Sequence, residues 1–150
     1  MTDFIAKHAG DMKNGNIVED WRAIFRHSAG RLGSQYLRAL RDEGRLLGWR
    51  VSRTGTVHVP PKDCGEPGEF VDVGPGGRLL TVARDASVVD ENGRRTALGR
   101  VAIDGASAPL FVRVRYDEGA VPRPGTRVRI AFASQRVGSS SDFWFEAEPG

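Results

Sequence analysis

The sequence predicts a mainly β protein, in which an N-terminal helical arm is followed by a hairpin and a small barrel. Three observations support this fold class. The 150 residues include 19 glycines and 8 prolines, which indicates many turns. The second half of the chain alternates apolar and polar residues, as strands with one buried face do. Two segments near the N-terminus instead repeat apolar residues at helical spacing.

The helical arm is predicted over residues 1–45. Its first helix lies in NIVEDWRAIFRH, where Asn16 caps the first turn. The apolar residues at helical spacing in that segment are Ile17, Trp21, Ile24 and Phe25. The second helix lies in SQYLRALRDEG, with Ser34 as its N-cap and Gly44 as its stop. The apolar stripe of the second helix consists of Tyr36, Leu37 and Leu40.

A hairpin is predicted over residues 46–68. LLGWRV and TVHV fit two strands around the turn SRTG, and Pro60-Pro61 ends the second strand. The stretch GWRVSRTGTVHVPPKDCGEP has the order of elements of a metal-binding ribbon, in which two turns, called knuckles, supply the ligands. Yet it contains a single cysteine, Cys64. Trp49, Val57 and Val59 are expected to provide the apolar contacts that hold the hairpin together.

The barrel is predicted over residues 69–150. The segments that fit strands are EFVDV, RLLTVAR, ALGRVAI, LFVRVRY, TRVRIAF and DFWFEA. In LFVRVRY, Val112 and Val114 face one side while Arg113 and Arg115 face the other. About five such strands joined by Gly-rich turns fit a five-stranded OB-fold barrel. An SH3-like barrel and an open sandwich are also compatible with the alternation alone.

Four segments carry a resemblance to a known family: SQYLRALRDEGRLLGWR, TGTVHVPPKDCG, EFVDVGPGGRLLTVA and VPRPGTRVRIAF. Together they resemble the OB-fold proteins with a rubredoxin-like zinc ribbon, a domain-of-unknown-function family associated with thiolases and other acyl-CoA enzymes. The resemblance covers about Gly30 to Phe132. It implies a non-catalytic subunit in a hetero-oligomer, whose thiolase-like partner holds the catalytic residues.

The chain departs from that family at the metal. The family pattern is two Cys-x2-Cys pairs, and the equivalent positions here are Val51, Thr54, Cys64 and Pro67. Structural zinc requires four thiolate or imidazole ligands. Even with His58 the segment supplies only two such groups, so no zinc is expected. Because losing a structural metal removes a large contribution to folding, a partner surface is expected to hold the degenerate ribbon.

A self-sufficient active site is not predicted. Cys64 with His58 as its base is one interpretation, and an unreactive thiol in a turn is the favoured one, because reactive cysteines need an activating environment. The sequence contains no nucleophile elbow, phosphate loop or paired-carboxylate spacing. GPGGR leads into a strand and is interpreted as a turn. No tightly bound cofactor is expected, although a coenzyme A thioester could be shared with the partner.

Arginines lie on the polar side of the predicted strands: Arg100, Arg113, Arg115, Arg127 and Arg129. We assign Arg113 and Arg115 to the phosphates of coenzyme A. The alternatives are a solvated outer face, which is the default for a sheet, and a surface for single-stranded nucleic acid. Nucleic acid requires exposed aromatic rings between the charges, and Phe111 is almost alone among these arginines.

A partner-binding surface is predicted from aromatic and apolar residues of all three parts: Trp21, Phe25, Tyr36, Leu40, Trp49 and Trp144. Neighbouring side chains of a strand alternate, so in DFWFEA either Trp144 or the pair Phe143 and Phe145 must face outward. The alternative is that the arm folds back over the barrel mouth.

The sequence thus predicts an accessory subunit that stabilises a thiolase-like enzyme and helps to enclose its acyl-CoA. The rival from another class is an OB-fold protein that binds single-stranded nucleic acid, and a third hypothesis is an enzyme that uses Cys64. No apolar run is long enough for a membrane span, and the N-terminus lacks the apolar core of a signal peptide. A cytoplasmic location is therefore expected.

Overall fold

The computed structural model describes residues 11–13, 16–18, 26–83, 88–90 and 92–149. Its first element is a hairpin of β1 (Asp11–Lys13) and β2 (Asn16–Val18). The first predicted helix is therefore wrong at its start. Ile17 and Val18 are β-branched, and Asn14-Gly15 is the dipeptide most typical of two-residue hairpin turns. The predicted partner-binding residues Trp21 and Phe25 lie outside the described residues.

The second predicted helix is confirmed as α1 (Gly30–Arg38), which continues through a π-helical turn (Ala39–Glu43). It begins earlier than the predicted cap Ser34, and the hydroxyl of Ser28, two residues before the helix, accepts a hydrogen bond of 3.1 Å from the Gly30 N–H. Gly44 ends the turn in the left-handed conformation, with φ of 60°, as predicted. The arm thus contains a short helix with a defined stop.

Three strands form the ribbon sheet: β3 (Leu47–Val51), β4 (Val57–His58) and β5 (Gly68–Asp72). β3 lies in the centre and pairs antiparallel with both neighbours. The segment EFVDV therefore completes the ribbon instead of opening the barrel. Glycine is required at Gly48 in β3, because a Cβ atom there would lie 2.6 Å from the side chain of Val57.

The remaining strands are β6 (Gly76–Val82), β7 (Val88–Val89), β8 (Arg94–Ile103), β9 (Leu110–Asp117), β10 (Arg127–Phe132) and β11 (Phe143–Ala147). Five of them close into a barrel in the order β6, β8, β9, β11, β10 and back to β6. The β9–β11 pairing is parallel, and the other barrel pairings are antiparallel. This barrel confirms the predicted five-stranded OB-type fold.

One apolar core joins the helix, the ribbon and the barrel. Its fully buried side chains come from the π-helical turn and from all five barrel strands: Leu40, Leu79, Val101, Val114, Val128 and Phe145. The predicted alternation of β9 is confirmed, since Val112 and Val114 are buried while Arg113 and Arg115 are half-buried on the outer face. Among the described helices, none is long and apolar enough to cross a membrane.

A buried carboxylate organises the loop that precedes β11. Asp142 is 2% exposed and accepts hydrogen bonds from the backbone N–H groups of residues 137–139. Burial alone raises the pKa of Asp142, but the three N–H donors and nearby Arg136 outweigh it and hold the pKa below its ordinary value. Arg136 also donates to the carbonyl oxygen of Arg41 at 3.1 Å, which ties this loop to the π-helical turn.

Replacing Asp142 with Asn is expected to lower the free energy of unfolding by about 1–3 kcal/mol near neutral pH, because buried N–H groups lose an ionised acceptor. Since the folded pKa is lowered, the carboxylate stabilises the fold above its unfolded pKa of about 4. That contribution is lost as the pH falls through the folded pKa. Urea unfolding of both proteins, near neutral pH and at acidic pH, measures the difference.

Asp63→Asn is the matched control, because Asp63 is exposed and accepts one backbone hydrogen bond, from Gly65 at 3.0 Å. Its effect is expected to stay below about 0.5 kcal/mol. A loss for D142N that is the same at both pH values would contradict the role assigned to its charge.

Candidate functional site

The resemblance implies four zinc-ligand positions, which are occupied here by Val51, Thr54, Cys64 and Pro67. Val51 is buried, and the carbonyl of Pro67 accepts the Ser52 N–H at 2.9 Å. The Thr54 hydroxyl is hydrogen-bonded to Thr56, and Cys64 is exposed. Zinc requires four thiolate or imidazole ligands, and this set offers one thiol. Nowhere in the described ranges do three or more His, Cys, Asp or Glu side chains converge on a possible metal position.

An ion pair and a backbone hydrogen bond join the two knuckles, which are the turn that contains Arg53 and the turn that contains Glu66. Arg53 donates two hydrogen bonds to the carboxylate of Glu66, at 2.9 and 2.8 Å. The Ser52–Pro67 backbone bond lies beside this pair. Both charged side chains reach solvent, so the pair orients the knuckles more than it stabilises them.

Trp49 anchors the ribbon to the helix. Its ring meets the Phe70 ring edge-on, with centroids 5.1 Å apart, and Leu32 and Val51 are buried against it. The guanidinium of Arg31 lies 5.6 Å from the ring centroid, within cation–π range. The ribbon without zinc ligands is therefore held by this chain's own helix.

Three residues predicted for the partner-binding surface lie inside the fold. Tyr36 and Trp49 are each 6% exposed, and Leu40 is fully buried. Helical spacing correctly identified one apolar stripe, but this stripe packs on the chain's own barrel and ribbon. The alternative in which the arm folds back on the barrel therefore describes Tyr36 and Leu40, while Trp49 of the ribbon packs against the helix.

Trp144 lies on the outer face of the barrel, while Phe143 and Phe145 point into the core, so the structure selects the first of the two alternatives left open by the sequence. The guanidinium of Arg115 stacks 4.2 Å from its ring centroid, and its Nε1 donates to Glu146 at 2.7 Å. Trp144 thus has a partly exposed surface within a network of charged side chains.

The two arginines assigned to coenzyme A phosphates both have partners within the chain. Arg113 donates to the carbonyl oxygens of Ser140 and Phe143, at 3.0 and 3.2 Å. Arg115 stacks on Trp144, and its Nη2 lies 3.6 Å from the carboxylate of Asp90. These contacts fix both guanidinium groups and leave each side chain partly accessible from outside.

Cys64 and His58 show no sign of a catalytic pair. Cys64 is exposed in the second knuckle, and His58 is half-buried in β4. No hydrogen bond connects their side chains in the part of the chain that the structure describes. The interpretation of Cys64 as an unreactive thiol in a turn is the one that this geometry favours.

A cleft of about 260 Å³ lies where the helix, the ribbon turn and the barrel meet. Its barrel side is apolar and consists of Leu98, Leu110, Phe111 and Val112. The lining is completed by Tyr36 of α1, Pro60 beyond β4, Ser140 of the loop before β11 and Phe143 of β11, and Arg113 is its charged residue. The cleft lies on the face of the second and third barrel strands, the face that OB folds commonly use for binding.

Two large apolar side chains stand exposed at this cleft. Phe111 is 68% exposed and Leu98 is 52% exposed. In the β8–β9 register, Arg100 lies opposite Phe111 and Arg113 lies opposite Leu98. We call Leu98 and Phe111 the apolar patch. Sequence reasoning overlooked Leu98, although an apolar residue between arginines on the outward face of ALGRVAI was a usable signal.

An OB-fold barrel that carries a helix and a ribbon without zinc ligands is the class of protein that these features define. Among solved structures, the chain is similar to a protein of unknown function from the DUF35 family of Sulfolobus solfataricus, with a TM-score of 0.55 and 12% identity. The match covers 79% of this chain and 85% of that chain. At this identity it shows the fold alone. No family profile and no curated protein matches the sequence.

Purified protein is expected to contain far less than one zinc per chain, because the knuckles lack a ligand set. For the same reason, excess chelator is expected to leave the melting temperature unchanged. Elemental analysis and thermal unfolding with and without EDTA provide the two measurements. A stoichiometric zinc content together with a chelator-induced fall in melting temperature would refute the assignment.

Trp49→Ala is expected to lower the free energy of unfolding by about 3–5 kcal/mol, since it leaves a cavity between helix and ribbon. Trp144→Ala is the matched control, because its ring lies on the outer face, and its loss is expected to be clearly smaller. Urea unfolding measures both. Equal losses would mean that the Trp49 cluster does not anchor the ribbon.

Proposed function

We propose that this chain is a non-catalytic accessory subunit of a thiolase-like enzyme that transforms acyl-CoA. The observation that carries the proposal is the apolar patch of Leu98 and Phe111, exposed beside a cleft in a chain without a recognisable catalytic pair among its described residues. The resemblance of the sequence to ribbon-bearing OB-fold proteins associated with thiolases supplies the class of partner. The DUF35 structure supports that resemblance at the level of fold.

The apolar patch has the features of a protein-binding surface. Exposed large apolar side chains that adjoin one another on a sheet mark interaction sites more often than scattered ones do. Arginine is enriched at interfaces, and Arg100 and Arg113 lie directly across from the patch residues. An apolar centre with a charged rim is the usual arrangement of residues that dominate binding energy.

This surface replaces the docking surface expected from the sequence. Docking through Tyr36, Leu40 and Trp49 would require the core to open, because all three are buried. The ribbon is held by Trp49 and its neighbours within the chain, so a partner need not hold it. The partner instead covers the outer face of β8 and β9, where Trp144 on β11 extends the contact area.

Acyl-CoA would meet this subunit at the rim of the same face. Arg100 is exposed opposite Phe111, and no ion pair within the described ranges involves it. Arg113 and Arg115 are already oriented by neighbouring groups, which suits the recognition of phosphate by a fixed guanidinium. The catalytic residues lie in the partner, and the assembly is a hetero-oligomer.

Single-stranded nucleic acid is the rival ligand for an OB fold. Such binding relies on several aromatic rings on which successive bases stack. Within the described ranges, Phe111 is the one aromatic side chain that is largely exposed. The described surface therefore favours a protein partner over a strand of nucleic acid.

The test is co-expression with the thiolase-like proteins encoded in the same gene neighbourhood, followed by size-exclusion chromatography and an acyl-CoA activity assay. The chain is expected to co-elute with one such enzyme and to raise its activity or stability. Leu98→Asp with Phe111→Asp is expected to weaken the complex at least about a hundredfold, because two apolar contacts are replaced by charges.

Val137→Asp is the control, since Val137 is an apolar residue of similar exposure, 71%, in the loop before β11, and it does not line the cleft. It is expected to leave co-elution intact. If the chain and the enzyme elute separately and the activity of the enzyme is unchanged, the proposal is refuted. Salt-dependent retention of a labelled oligonucleotide at micromolar protein would support the rival instead.

A further inference from the structure

The cleft contains a polar group whose hydrogen bonding is incomplete. This group is the hydroxyl of Tyr36, a residue that lines the cleft and is 6% exposed. Its hydroxyl makes no hydrogen bond within the described ranges, yet it is not among the side-chain atoms sealed from solvent. Burial raises the pKa of Tyr36 to about 12, so the hydroxyl stays protonated at neutral pH. Because solvent reaches it, this hydroxyl is free to donate its hydrogen bond to water or to a ligand that enters the cleft.

The charge in the cleft lining is positive and held in place. Arg113 donates from one guanidinium nitrogen to the carbonyl oxygens of Ser140 and Phe143. Those two bonds orient the guanidinium, while its other nitrogens make no hydrogen bond to the described residues. No carboxylate lines the cleft to neutralise it. A negatively charged group that enters the cleft would therefore meet a preoriented cation.

We propose that this cleft binds a small monocarboxylate with an apolar body, such as a medium-chain fatty acid or an arylalkanoate. Leu98, Leu110 and Phe111 receive the apolar body, and Tyr36 and Arg113 recognise the carboxylate. The volume of about 260 Å³ is just under the range of about 300–1,000 Å³ that holds drug-sized ligands, which fits a ligand of this small size.

The number of charges in the cleft distinguishes this ligand from a nucleotide. A nucleoside diphosphate carries several negative charges, whereas Arg113 is the one charged residue in the lining. Arg115 stacks on Trp144 on the outer face and is not part of the lining. One cation, one hydroxyl donor and apolar walls match a single carboxylate.

The proposed ligand contacts residues of this chain alone, so its binding is measured without a partner, although Leu98, Phe111 and Arg113 also belong to the surface proposed above for docking. The proposal is tested with the full chain by isothermal titration calorimetry, using octanoate, octanol and methyl octanoate as probes. Octanoate is expected to bind at least about tenfold more tightly than octanol or the ester, since hydrogen bonds to a charged group contribute more than neutral ones. Equal affinity for the three probes would overturn the assignment of a carboxylate site.

Tyr36→Phe is expected to weaken octanoate binding about tenfold while leaving octanol binding nearly unchanged. Tyr116→Phe is the matched control, because it removes another tyrosine hydroxyl from a buried residue that does not line the cleft. Leu110→Trp provides a second variant, which fills the cleft and is expected to abolish binding of all three probes. Undiminished octanoate binding by Y36F, or by L110W, would show that octanoate binds elsewhere.

Discussion

The packing of Trp49 between helix and ribbon is the contact on which the rest of the arrangement depends. Between the two turns of the ribbon the structure has an exposed ion pair, Arg53 with Glu66, which contributes little stability. Burial of one large indole against Phe70 and Leu32 supplies the apolar stabilisation of the ribbon. Because Trp49 fixes the ribbon to α1, it also fixes the Pro60 turn that forms one side of the cleft.

The same helix serves the barrel with another part of its surface. Leu32 belongs to the ribbon cluster, whereas Tyr36 and Leu40 belong to the main core. The loop before β11 closes this arrangement, because Asp142 fixes the loop backbone and Ser140 of that loop accepts a hydrogen bond from Arg113. The geometry of the cleft therefore follows from two buried anchors, an indole on one side and a carboxylate on the other.

Alternation of residue types was enough to predict the barrel strands, because side-chain direction in a strand depends only on position. It also required that Trp144 and its two neighbouring phenylalanines face opposite sides, but it could not say which side is the core. The same reasoning could not assign EFVDV to the ribbon, since pairing partners are set by long-range contacts. Helical spacing identified the stripe of Tyr36 and Leu40 but could not reveal what covers it. The cleft escaped prediction for a similar reason: Leu98 and Phe111 become neighbours only through the β8–β9 register.

Two of the residues that form the cleft rim also form the apolar patch, and this overlap links the two proposals physically. A partner that covers Leu98 and Phe111 would close the mouth of the cleft over a bound carboxylate. If the ligand changes the affinity for the partner by some factor, the partner must change the affinity for the ligand by the same factor. This follows because coupling free energies are reciprocal. A small apolar acid bound in the cleft would thus regulate the proposed assembly.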